Sequence, residues 1–258
     1  MIFFRIIPLI LINDRECFKS VKYKDKIYLG DPINIIKIFN DLDVDEIIIN
    51  NLSNKLNEEF NYLKQLSEES FVPLTFGGGI KNLKDIEKIL RLGYEKISLN
   101  SSFYNDIDFV KSAISEFGTS SISISINLKK NIFGKYYLYD HHHKKIIKKI
   151  DLIKCLESLD QIEVSEVSFN FVDREGLRIG YDYETIKIIK QYKKNKNFIV
   201  NGGAKDINDF LFLKENNFSG AVASSLFSFM NTNESILINY INANDRILID
   251  KQIKFKEV

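Results

Sequence analysis

Short runs rich in isoleucine, valine and phenylalanine alternate along the chain with stretches of ten or more residues whose apolar positions recur every three to four residues. The runs fall at roughly 5–12, 45–51, 72–76, 95–100, 121–127, 165–171, 197–201 and 219–223. Near-continuous apolar runs of this kind are expected of strands covered on both faces. The stretches between them, such as LKDIEKILRLG from Leu83 and YETIKIIKQY from Tyr183, carry the spacing of helices with one buried face. Eight strand–helix units in series predict βαβ crossovers around a parallel sheet.

An internal repeat strengthens this count. Phe76-Gly77-Gly78-Gly79-Ile80 is echoed by Val200-Asn201-Gly202-Gly203-Ala204, and the same interval separates Asn100-Ser101-Ser102-Phe103 from Ser224-Ser225-Leu226-Phe227. Eight units in two similar halves favour closure into a (βα)8 barrel over an open doubly wound sheet. The whole chain, 1–258, reads as one such α/β barrel domain with no linker. The Lys-rich stretch at 144–155 reads as a solvated helix entry. His141-His142-His143, with Tyr136, Tyr137 and Tyr139 before them, reads as an exposed hairpin after the fifth strand. Consecutive histidines point in different directions, so a metal site is not expected there.

Composition narrows the classes. The 258 residues are 45% apolar and 28% charged, the usual size of one α/β barrel. Thirty-six basic against thirty-five acidic residues argue against a general nucleic-acid or anionic-membrane surface. Cys17 and Cys155 have neither metal-ligand nor disulfide spacing, which fits a reducing cytoplasm. Arg5 interrupts the opening apolar run, and no later run approaches the roughly 20 residues needed to span a bilayer. A soluble, cytoplasmic protein without a cofactor is expected.

Glycines placed after a strand and before a helix let the backbone approach an anion, and the helix N-terminus adds unpaired N–H donors. Gly77-Gly78-Gly79 and Gly202-Gly203 have this context, and each gains hydroxyl partners from the turn after the next strand. Two anion sites at one barrel mouth would suit a substrate with a phosphate at each end.

The motifs then become specific. Arg5-Ile-Ile-Pro8, Leu29-Gly-Asp-Pro32, Phe76-Gly-Gly-Gly-Ile80, Asp173-Arg-Glu-Gly176, Gly180-Tyr-Asp182 and Asn201-Gly-Gly-Ala204 occur in order over roughly residues 4–242. In order and spacing the chain resembles the cyclase subunit of imidazole glycerol phosphate synthase. The resemblance implies that Gly79, Asn100 and Ser101 hold one phosphate and that Gly176, Gly203, Ser224 and Ser225 hold the other. It implies a glutaminase subunit docked beneath the barrel floor, with Glu95 at that interface, and ammonia passing up the barrel axis. Arg5, Glu46, Lys96 and Glu166 match the four charged positions of the family's ammonia gate. Lys19, in the long loop after the first strand, matches a mobile-loop lysine that could contact substrate, with a solvated surface lysine as the alternative.

The departures lie at the chemistry. The family reaction depends on two aspartates, at the ends of the first and fifth strands, and here those positions read Leu11 and Asn127. A third family aspartate, at the end of the second strand, reads Asn51. Leucine has no ionisable group, and an asparagine amide cannot act as a base near neutral pH. Weak or absent cyclase activity follows, with ammonia handling retained. The leading expectation is the synthase half of a glutamine amidotransferase, resembling the cyclase-like proteins of bacterial surface-sugar pathways, where a sugar amidotransferase takes up the ammonia. The rivals are an ordinary histidine-pathway cyclase, with Glu175 or Asp173 replacing the missing bases, and a non-catalytic scaffold for a glutaminase.

Overall fold

A computed structural model describes residues 3–22, 24–53, 55–230 and 235–251. Eight strands form the barrel wall: β1 (Arg5–Asn13), β2 (Ile47–Asn51), β3 (Leu74–Gly77), β4 (Lys96–Leu99), β5 (Ile122–Lys130), β6 (Glu166–Phe171), β7 (Asn197–Asn201) and β8 (Gly220–Ala223). Each pairs in parallel with the next, and β8 returns to β1 with Arg5 opposite Gly220 and Pro8 opposite Ala223, which closes the barrel. The long crossovers that parallel pairing demands, and the segment after β8, supply the helices. They are α1 (Pro32–Asp41), α2 (Leu56–Glu69), α3 (Leu83–Arg91), α4 (Ile107–Phe117), α5 (Leu152–Leu159), α6 (Tyr183–Lys190), α7 (Ile207–Glu215) and α8 (Ala243–Lys251).

Short polar side chains start most of these helices. Asp31, Asn82, Asp106, Asp151, Asp182 and Asp206 each accept a backbone N–H of the first turn, satisfying donors that have no partner within the helix. The main core lies between the sheet and the helices, where Ile6, Ile49, Phe76, Ile97, Phe169 and Phe198 are almost fully buried. Cys17 and Cys155 are both buried and unpaired, and burial pushes the Cys17 thiol up to about 12. No described helix is long and apolar enough to cross a membrane.

Two antiparallel hairpins rise from the C-terminal ends of the strands. Glu16–Val21 and Asp25–Gly30 extend the β1 edge, so the long loop read after the first strand is an ordered ribbon. After β5, Tyr136–Asp140 pairs back on Leu128–Lys130 and then with Lys145–Asp151. The latter corrects the expected helix entry at 144–155: its first half is a strand, and α5 begins only after the Asp151 cap. The pairing partner supplies the deciding hydrogen bonds, and a Lys/Ile pattern cannot announce them.

Candidate functional site

Inward positions recur every second residue along a strand, and they sort the barrel interior into layers. At the floor, Arg5, Glu46, Lys96 and Glu166 meet around the axis. The Arg5 guanidinium bridges both carboxylates. Lys96 Nζ lies 2.9 Å from Glu46 and 3.0 Å from Glu166. Thr75 adds a hydroxyl donor to Glu46 at 2.6 Å. Each cation therefore contacts both anions, and the charges cancel within a ring whose carboxylates are nearly inaccessible to solvent. Burial alone would push the Glu166 carboxyl up, but Lys96 and Arg5 outweigh it and hold it below its ordinary value. For Arg5 burial favours proton loss, and Glu166 with Glu46 outweigh that in turn. Outside the ring, Glu95, Ser121 and Asn197 help to line an open recess of about 510 Å³ on the floor.

The next layer is two-sided. Ile7, Ile48, Ile199 and Val222 pack together on one side of the axis. Thr75, Ser98, Ser123 and Ser168 present hydroxyl side chains on the other, and the two sides enclose a cavity of about 20 Å³ bounded by Glu166 below and Asn50 and Asn201 above. Room on this scale accommodates one water-sized polar molecule.

The mouth is a layer of amides. Asn50, Asn51, Asn100, Asn127, Asn170 and Asn201 line a cavity of about 170 Å³, with Leu11 beside them. Asn170 Nδ2 donates to Asn127 Oδ1 at 3.0 Å, and Asn100 Nδ2 donates to the Ser125 carbonyl at 2.7 Å. Asn51 donates to the buried Glu59 carboxylate while its Oδ1 accepts the Ser53 N–H at 2.9 Å. Leu11 and Asn127, the two positions that the resemblance matches to acid–base aspartates, thus both line the cavity as neutral groups. The titratable side chains on its wall are Glu175, which accepts the Ser20 hydroxyl at 3.0 Å, and His141 and His142.

Beside the mouth, Gly176, Gly203, Ser224 and Ser225 come together around a cavity of about 20 Å³ that shares Leu9, Glu175 and Asn201 with the central one. Gly203 is at φ +114°, and a Cβ there would stand 2.6 Å from the Gly180 carbonyl, so only glycine fits. Ser224 Oγ is buried with no hydrogen-bond partner among the described residues. Arg178 also lines this cradle. Sequence reasoning passed over it, although a cation between Gly176 and Gly180 was a legible signal. The other expected group is divided. Asn100 faces the mouth with Gly77 and Gly78, whereas Gly79 opens on a separate cleft of about 230 Å³ with Lys55 and Asn82. Ser101 stands at the start of the short helix Ser102–Asn105 and lines neither. Gly78 accounts for the split: at φ +101° its backbone packs so closely on Asn51 that a Cβ would meet the carbonyl oxygen at 2.0 Å, and Gly79 is carried over to the α2 side.

Two other features sit elsewhere than expected. Lys19 is neither in an open loop nor solvated. It lies in the strand Glu16–Val21, 1% exposed, with Nζ 4.4 Å from the centre of the Phe229 ring. The histidine turn is a hairpin turn, but His141 and His142 lean over the mouth instead of away from it. Among the described residues no three His, Cys, Asp or Glu side chains gather as metal ligands.

Comparison with known proteins places this geometry. The model of the histidine biosynthesis protein family matches residues 5–233. Two similar proteins bear the name "Putative imidazole glycerol phosphate synthase subunit hisF2". The one from Pseudomonas aeruginosa is 35% identical over 91% of this chain and 94% of the relative. That from Campylobacter jejuni is 38% identical over 80% and 82%. The imidazole glycerol phosphate synthase subunit HisF of Alkaliphilus metalliredigens is 31% identical over 89% and 92%. The chain therefore belongs to the histidine biosynthesis protein family, as a divergent member of the HisF-like, cyclase-type subunits of imidazole glycerol phosphate synthase.

Proposed function

We propose that this barrel is the ammonia-conducting, cyclase-like subunit of a glutamine amidotransferase, with a separate glutaminase docked on its floor. The observation that carries the reading is the axial sequence of layers: a ring of four paired charges, a hydroxyl-lined cavity of about 20 Å³, and an amide mouth. A small neutral molecule with hydrogen-bonding capacity matches that path, whereas a bare ion would lose too much hydration in it. The recess holding Glu95 supplies the docking face, and the synthase-subunit names of the relatives support a multi-subunit assembly. The Gly203–Ser224 cradle takes a phosphate, supported by the unpartnered Ser224 hydroxyl and by Arg178. The ammonia leaves for a sugar amidotransferase of bacterial surface-sugar synthesis, a pathway supported by the neutral reaction centre and by family resemblance.

Glu175, which lines both mouth and cradle, favours the histidine-pathway cyclase as the second reading. Assay of the purified chain with the bis-phosphorylated histidine precursor and excess ammonium separates the two. Loss of positioned acid–base groups lowers turnover by about two to four orders of magnitude, and Leu11→Asp with Asn127→Asp restores part of it. Wild-type turnover within about tenfold of an ordinary cyclase would favour the second reading.

A further inference from the structure

The turn at residues 141–144 is the part of the mouth wall that the proposed function leaves unused. Asp140 orders it. Its carboxylate accepts the His143 N–H at 3.1 Å and lies 2.7 Å from His143 Nδ1. Lys144, at φ +51°, completes the reversal into the strand Lys145–Asp151. With His143 held outward against Asp140, His141 and His142 fall on the cavity side. His142 and His143 are exposed, whereas His141 is half-buried. The groups facing His141 are Asp140, His142 and Lys144 on its own turn and Lys26 from the first hairpin, with Glu175 across the cavity. Burial first, then His142 and Lys144, drive the proton off this imidazole against the opposing pull of Asp140, and its pKa lies below the ordinary histidine value. Near neutral pH the ring is therefore a neutral base.

We infer that His141 is the proton-handling residue of the mouth, facing the body of a phosphorylated polyol whose phosphate sits in the Gly203–Ser224 cradle. The inference rests on the phosphate reading of that cradle. The two cavities share Leu9, Glu175 and Asn201, so a ligand anchored by its phosphate extends into the central space beneath the turn. Amides both donate and accept hydrogen bonds, which suits hydroxyl groups better than further charges. There a neutral ring nitrogen accepts a hydrogen bond from a ligand hydroxyl, the arrangement from which an imidazole serves as a general base. This places an acid–base group at the end of the hairpin that pairs with the Asn127 strand, on the wall of the same cavity that Leu11 and Asn127 line.

The three histidines of the chain are all in this turn, so imidazole NMR reads it without interference. The probes are inorganic phosphate, which fills the cradle alone, and ribose 5-phosphate, which also reaches into the mouth. Both should move the Gly203 amide resonance, while only ribose 5-phosphate should displace the titration of His141, leaving that of His143 in place. His141→Gln should weaken ribose 5-phosphate binding by about five- to tenfold with phosphate binding unchanged. The wild-type titration stands whether or not the variant folds. If Gly203 responds and His141 does not, the inference is overturned and the phosphate reading survives. A silent Gly203 with both probes would overturn the phosphate reading, and the inference with it.

Discussion

The two ends of this barrel solve the problem of burying polar groups in opposite ways. At the floor, full charges are kept and cancelled: Arg5 and Lys96 each contact Glu46 and Glu166. At the mouth, amides stand in a ring, and carboxylates are held behind it or to one side, as Glu59 is behind Asn51 and Glu175 is beside Ser20. A charge ring is sensitive to the loss of any member, because a buried ion left unpaired is costly. An amide ring adapts to whatever faces it but carries no proton. On the proposed function, the floor is the gate and the mouth the binding end.

Putting a charge into the mouth should break the contrast most sharply. Asn51→Asp removes the amide donor to Glu59 and sets two carboxylates against each other. At pH 7 the variant should lose about 2–3 kcal/mol of stability in urea unfolding. The loss should shrink as the pH falls and one of the pair takes a proton. A loss that stays constant with pH would show that Glu59 does not sense residue 51.

A smaller effect belongs to the latch that ties the second hairpin to the barrel. Asp182 accepts from Lys130 Nζ at 2.8 Å and from the Tyr136 hydroxyl at 2.9 Å. Burial alone would raise its carboxyl, but Lys130, the Thr185 N–H and Tyr136 outweigh it and hold it at about 2. Because the folded value lies below the unfolded one, near 3.9, the stabilisation is complete above pH 5 and fades as pH falls toward 2. Lys130 is well exposed, so screening leaves about 1 kcal/mol. Asp182→Asn should cost that much at pH 7 and almost nothing near pH 2, by thermal unfolding across the range.

Much of the barrel was legible in the chain. The apolar runs lie within a few residues of the eight strands, and the four floor charges stand at strand starts. What the sequence concealed depends on pairing and direction. Lys145–Asp151 has no period of its own that separates strand from helix, and its partner strand decides. Gly79 and Asn100 follow neighbouring strands, yet the close approach of Gly78 to Asn51 turns them apart. The alternation of Ser98 with Asn100, and of Ser168 with Asn170, was visible as letters. Only a closed wall makes them successive layers of one barrel interior. Three consecutive histidines give no hint of which one faces inward until Asp140 fixes the turn.

The central claim is that the charge ring admits ammonia to the axial path, and Arg5→Ala tests it in the assembled complex of barrel, glutaminase and acceptor enzyme. With glutamine labelled at the amide nitrogen, the measurement is labelled product formed per glutamate released. Loss of Arg5 leaves Lys96 alone between two carboxylates, and the ring should loosen. The ratio should fall severalfold, while product formation from added ammonium stays near the wild-type rate. An unchanged ratio in an intact complex would contradict the account, reducing the four charges to caps on the barrel and the chain to a scaffold for its glutaminase.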